Sequence, residues 1–239
     1  MKSIISYPLY LLFAILFSTI SLDAQSETLD LDRFDGLSVS GNIELILIPD
    51  TENYAEIEVE DTDMDKLETR KKRSTLKFKL KNKGFLNLFG GGGKAYIKLH
   101  YTEDLENISS SASADIRSDD IVRSDELDLS SSSGSSIALE IECNFIDASV
   151  SSGADIKLEG EFDEQVISAS SGGTYNAQIA ISNIVKARAS SGGSIKVWAT
   201  EKFKGRASSG GSIHYKGNPS NTDNSTSSGG SIRKIDSRS

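Results

Sequence analysis

The sequence predicts an all-β, parallel β-helix-like solenoid with coils of about 19 residues, preceded by β-strands that join or cap it. Three observations carry this. A serine and glycine phrase, clearest in Ala189-Ser190-Ser191-Gly192-Gly193-Ser194-Ile195-Lys196-Val197, returns through the second half of the chain. The residue at the Ile195 place recurs as Ile116, Ile137, Ile156, Tyr175, Ile195, Ile213 and Ile232, at spacings of 21, 19, 19, 20, 18 and 19. Such a fixed short period is the mark of a stacked array. Around each phrase, apolar and polar residues alternate with the period of two that belongs to strands. A propeller of four-stranded blades needs about twice this period, and the glycine density opposes a helical repeat.

In chain order, Lys2 is followed by a run from Ile4 to Ile20 that is apolar apart from Ser6, Ser18 and Thr19, and Leu22-Asp23-Ala24 ends on a small residue. This grammar predicts a signal peptide over 1–24 and a mature single domain over 25–239, exported and without a stable membrane span after cleavage. No cysteine near the end of the apolar run marks a lipoprotein anchor. Over 25–105 the N-terminal strands show as Ile43–Ile48, Ala55–Glu60, Leu76–Leu80 and Tyr96–Tyr101, each with apolar residues on one side and charge on the other. The segment Lys83 to Lys94 joins two of them. Its Gly93-Lys94 fails as a phosphate loop, because Leu88 stands where the first glycine belongs and Ala95 where a hydroxyl residue belongs. Phe85, Leu86, Leu88 and Phe89 make it a candidate partner-contact loop, or a flap folded over a strand edge.

The seven repeats fill 106–239, and Val39-Ser40-Gly41-Asn42-Ile43 looks like a degenerate earlier copy. Strand parity places Val185, Ala187, Ala189, Ser191, Gly193, Ile195 and Val197 on one row, with equivalent rows in the copies around Ile156 and Ile213. Small residues at the phrase predict a coil pinched there. Parity read straight through the phrase predicts an internal column of Ser152, Ser171, Ser191, Ser209 and Ser228. It predicts an outward ladder of Ser151, Ser170, Ser190, Ser208 and Ser227. The last copy leaves a coil edge to be blunted by Arg233, Lys234 and Arg238, or covered by another chain or by the N-terminal strands. Homo-oligomerisation through that open coil is one expectation.

Composition bounds the chemistry. With 26 Lys plus Arg against 35 Asp plus Glu the net charge is −9, which opposes a nucleic-acid partner, Arg70-Lys71-Lys72-Arg73 notwithstanding. Cys143 is the single cysteine, so no intrachain disulfide forms; it reads as a small buried hydrophobe, with an intermolecular bridge as the alternative. His100 and His214 each alternate with apolar or aromatic residues in a strand, and no nucleophile elbow precedes a helix. The calcium nonapeptide needs an aspartate after its glycines in each copy; here Ser194, Ser212 and Ser231 stand there, with Asp115 and Asp155 as exceptions. Asp115, Asp119 and Asp120 are the one place for an incidental ion. Trp198, Tyr215 and Tyr175 are the candidates for sugar stacking, and Tyr175 has core parity. Asn107-Ile108-Ser109 and Asn224-Ser225-Thr226 match the glycan acceptor pattern.

The opening Phe34-Asp35-Gly36-Leu37-Ser38-Val39-Ser40-Gly41-Asn42-Ile43, the later Tyr96–Tyr101 and Leu105–Ile108, and the serial Ser-Ser-Gly-Gly-Ser-Ile phrases resemble the head GIN domain family. The resemblance runs from about Phe34 to Ile232. Members are exported proteins common in Bacteroidetes that carry an auto-transporter adhesin label, and the family brings no catalytic residues. The resemblance and the residues together imply a non-enzymatic envelope or cell-surface binding module without cofactor or metal, in the periplasm, at the outer surface or secreted. Its partner is an envelope protein or a surface glycan. Two other readings are a polysaccharide-active enzyme on the same scaffold and a structural or signalling component of the envelope.

Overall fold

A computed structural model describes residues 25–81 and 93–235. The expected signal peptide over 1–24 and the loop with Phe85, Leu86, Leu88 and Phe89 lie outside the described residues. The strands are β1 (Gln25–Asp30), β2 (Gly36–Ser40), β3 (Ile43–Pro49), β4 (Tyr54–Glu60), β5 (Leu67–Lys72), β6 (Thr75–Leu80), β7 (Lys94–Tyr101), β8 (Asn107–Ser111) and β9 (Asp115–Ser118). They continue as β10 (Val122–Ser132), β11 (Ser136–Val150), β12 (Asp155–Ala169), β13 (Thr174–Ala189), β14 (Ser194–Ala207), β15 (Ser212–Lys216), β16 (Asn221–Thr226) and β17 (Ser231–Lys234).

From β8 onward every pairing between successive coils is parallel, and the chain winds as a β-solenoid of about 7 turns with coils of about 19 residues. The periodic residue becomes a physical column: Ile116, Ile137, Ile156, Tyr175, Ile195, Ile213 and Ile232 are register partners, each against the next. Stacking like on like lets one side-chain shape fill one layer of the core repeatedly, which is why the spacing tolerates so little drift. Tyr175 is the exception in the column, and its hydroxyl needs a partner in the dry interior. It donates to Gln165 Oε1 at 2.6 Å, and the Gln165 amide bonds Ser182 Oγ, with all three residues 0% exposed.

The N-terminal strands both join and cap the stack, in an order that differs from the chain. The early copy around Gly41 is a true coil: β2 and β3 pair in parallel with β8 and β9 on one side, and with β6 and β7 on the other. The coil made by β6 and β7 is then covered by antiparallel strands, β5 on β6, β4 on β7 and β1 on β4. An antiparallel cover ends the parallel template at this end of the stack. The N-terminal strands therefore do not cover the last coil. Among the described residues, β16 and β17 pair only with the coil before them. The row in line with the core changes there, since Thr222, Asn224 and Thr226 are register partners of the buried Phe203, Gly205 and Ala207 and are themselves exposed.

The phrase is a turn and not a strand segment. Ser190 C=O accepts from Gly193 N–H at 2.8 Å, while Ser191 (φ 48°) and Gly192 (φ 75°) between them are left-handed. Two positive φ values closed by this bond make a type I′ turn. The same turn recurs at 170–173, 208–211 and 227–230. Left-handed backbone swings the second serine outward, so Ser152, Ser171, Ser191, Ser209 and Ser228 are exposed and the expected internal column does not form. Parity holds on both sides of the turn: Ala189, Gly193 and Ile195 are buried. Inward hydroxyls occur elsewhere, where Ser110, Ser131 and Ser135 meet one another at 2.9 Å in the waist of two earlier coils.

This geometry makes Ser191 tolerant of the residues that accept a left-handed backbone. Asparagine tolerates the left-handed region well, so Ser191→Asn should keep the melting temperature of the parent. An inward, close-packed Ser191 would instead give a fall of several degrees, and thermal denaturation followed by circular dichroism separates the two.

Candidate functional site

The serine turns stack into a ridge along one edge of the solenoid. Ser151, Ser170, Ser190, Ser208 and Ser227 lie on successive coils. Their backbone N–H groups donate to the preceding coil at 2.9–3.0 Å, as in Ser190 to Ala169 C=O and Ser208 to Ala189 C=O. The first four are half-buried and Ser227 is exposed. Beside them runs the second column, Ser152, Ser171, Ser191, Ser209 and Ser228. Here each carbonyl accepts from a turn glycine of the coil before, as Ser209 does from Gly192 at 3.2 Å. Backbone bonds thus cross the turns as well as the strands, and they hold the ridge straight. The hydroxyls of both columns make no hydrogen bond within the chain among the described residues. With neighbouring strands about 4.8 Å apart, the ridge offers donors and acceptors at a fixed repeat.

The opposite edge is acidic. A groove of about 540 Å³ is lined by Asp104, Asp125, Glu142, Glu161 and Asp163, with Arg123 as its one cation among the described residues. Asn144 donates to Asp125 at 3.2 Å and Asn183 to Asp163 at 3.0 Å, while Thr200 donates to Asn183 at 3.0 Å. The alternation of amide and carboxylate along this edge relieves the repulsion that stacked carboxylates would suffer. Cys143 sits under the groove, 6% exposed, with its thiol donating to Phe145 C=O at 3.0 Å. Burial pushes that thiol up from its ordinary value, so it stays protonated and acts as the small buried hydrophobe expected of it.

Residues 33–219 match the family described as "Putative auto-transporter adhesin, head GIN domain". The chain belongs to this family. Solved structures agree on the fold. A protein described as a putative adhesin from Bacteroides fragilis is 23% identical, with a TM-score of 0.78 over 90% of this chain and 98% of that one. A second such adhesin, from Parabacteroides distasonis, is 17% identical with a TM-score of 0.72 over 90% and 98%. Another solved protein from the same species, described as a putative lipid binding protein, is 18% identical with a TM-score of 0.65 over 89% and 96%. At these identities the likeness is one of fold. A comparison with curated proteins returned no match.

In this head GIN domain the side chains singled out for chemistry are placed mainly by packing. His100 is 9% exposed, its Nδ1 lies 2.8 Å from Asp50 Oδ2, and its ring stacks on Tyr54 with centroids 3.9 Å apart. The Thr51 N–H, and after it His100, hold the Asp50 carboxyl below the usual carboxylate range. Asp50 and His100 are brought together by the pairing of β3 with β7, a contact fifty positions apart that no local motif announces. His214 is half-buried, 3.4 Å from Ser212 Oγ. Asp115 is engaged by Ser136 at 2.5 Å and Arg117 at 3.5 Å. Among the described residues no group of three or more His, Cys, Asp or Glu is arranged to hold a metal ion.

The three aromatics proposed for stacking do not form a platform. Tyr175 is fully buried and Tyr215 packs inside against Phe203 at 4.1 Å, which leaves Trp198 half-buried with Lys216 Nζ 6.0 Å from its ring. Burial lifts the phenol of Tyr175 well above its ordinary value and that of Tyr101 to about 12, so both remain neutral core residues. Of the two acceptor asparagines, Asn107 is half-buried over Gly36, whereas Asn224 is exposed on β16.

Proposed function

We propose that this head GIN domain works outside the cytoplasm as a non-enzymatic, adhesin-like binding module that presents its serine ridge to a surface glycan or an envelope protein. The observation that carries the reading is membership of the adhesin-described family across residues 33–219. Lys2 and the apolar run to Ile20 support export. The ridge supports binding, because it combines a hydrogen-bonded backbone with hydroxyl columns that have no hydrogen-bond partner among the described residues. A rigid, pre-organised row loses little freedom when a ligand settles on it.

The test is retention of the purified protein on a panel of immobilised glycans and on intact bacterial cells, with polysaccharide turnover followed in parallel. Saturable retention without turnover is the expected result. Turnover of any polysaccharide without saturable retention would overturn the reading in favour of an enzyme on the same scaffold.

A further inference from the structure

The flanks of the serine ridge change character along its length. On one flank, register partners run Ser130, Ser149, Ser168, Arg188, Arg206 and Ser225, so two arginines stand directly against each other only in the later coils. On the other flank, Lys196, His214 and Arg233 are consecutive register partners. Arg188 lies two residues before Ser190, and Lys196 two residues after Ser194, so both columns border the same turns. All five side chains are exposed or half-buried.

Like charges placed directly opposite one another on neighbouring strands are destabilising. In the earlier coils the cations of the second column are neutralised nearby: Arg117 by Glu44 and Asp115, both at 3.5 Å, and Lys157 by Glu159 at 2.7 Å. In the last three coils, the ion pairs of these flanks among the described residues go to Asp223, 3.9 Å from Arg206 and 3.4 Å from Lys204. Arg188, Lys196 and Arg233 have no ion pair among the described residues. In a protein of net charge −9, an un-neutralised cationic edge is the opposite of what solubility alone selects.

We propose that the turn edge of the last three coils binds a polyanionic glycan laid along the stack. Arg188, Arg206, Lys196 and Arg233 pair with its carboxylate or sulfate groups, and the hydroxyls of Ser190, Ser208 and Ser227 bond its sugar hydroxyls. Guanidinium forks favour such planar or tetrahedral oxyanions. A single-stranded nucleic acid fits the edge less well, since recognition of that polymer uses stacked aromatic side chains and this ridge carries none. The inference rests on the binding-module reading and names the ligand class for the same surface.

The test uses the full chain on immobilised heparin for sulfate, alginate for carboxylate, dextran as a neutral glycan, and oligothymidylate as a non-glycan polyanion. Retention on heparin or alginate, reversed by salt, is expected. The double variant Arg188→Ser with Arg206→Ser should weaken it at least about tenfold. Lys196→Ser, on the other flank, should act in the same direction. The pair Lys77→Ser with Lys79→Ser removes the same charge from exposed positions on β6 and should leave affinity within about twofold. The proposal is overturned if neither polyanion is retained, if the two double variants lose affinity equally, or if oligothymidylate binds as well and is lost in parallel. Retention on dextran or cells that ignores the arginine variant would sink this inference while leaving the binding-module reading intact.

Discussion

Replacing Phe203 by alanine is expected to cost about 3–5 kcal/mol, the range for emptying a fully buried aromatic site. Phe203 is 0% exposed and stacks on Tyr215 with ring centroids 4.1 Å apart and planes 18° from parallel. Its ring also fills the space over Gly205, where a Cβ would lie 2.9 Å from Cε1. The coil beyond cannot close the hole, because its register partner at this level is the exposed Thr222. In a stacked array each coil is held mainly by its neighbours, so the loss should be concentrated in β14 to β17. Hydrogen exchange should show amides of β15 and β16 opening well before those of β11 and β12. A cost below about 1 kcal/mol, with uniform exchange, would mean that this end of the stack is not packed as described.

The second large effect separates the two glycines of one turn. At Gly193 a Cβ would lie 2.4 Å from the Ala169 carbonyl oxygen and 2.8 Å from Ser170 N, both backbone atoms of the coil below. Gly193→Ala therefore has to push two coils apart, and overpacking of this kind costs about 1–3 kcal/mol, with rigid backbone placing it at the upper end. At Gly192 nothing lies within 4 Å of such a Cβ, but φ is 75°. There the cost of alanine is the strain of left-handed backbone alone, about 1–2 kcal/mol. Gly192→Asn should recover most of that loss, whereas Gly193→Asn should be worse than Gly193→Ala. Denaturant midpoints of the four variants check the order. If Gly193→Ala proved as mild as Gly192→Asn, the coils would not approach as closely as the turn geometry requires.

The same contrast shows how far local pattern carries. Alternation identified Ala187, Ala189, Ile195 and Val197 as core residues, and all four are buried. It failed at Ser191, because alternation assumes extended backbone and the turn inserts two left-handed residues. The Ser-Gly pair itself was the available signal, since left-handed positions favour glycine. Of the strands that cover the coil of β6 and β7, β4 was legible only as a strand and β5 was not legible at all, because β5 carries no clean alternation and which strand meets which is settled by contacts across long stretches of chain. Parity placed the exposed second serine column inside, and it did not name the cationic flank at all. Arg188 and Arg206 become neighbours only once the coil length, 18 residues at this step, sets them side by side.

The amino-acid sequence by itself determined the solenoid and its period, because stacking identical coils repeats one set of local preferences until no other architecture satisfies them. Only the tertiary structure decided the order of the first coils, the left-handed turns that expose the second serine, and the split of the surface into an acidic edge and a partly cationic one. Those features depend on register between strands, and register is an energy of contacts between segments that no single segment contains.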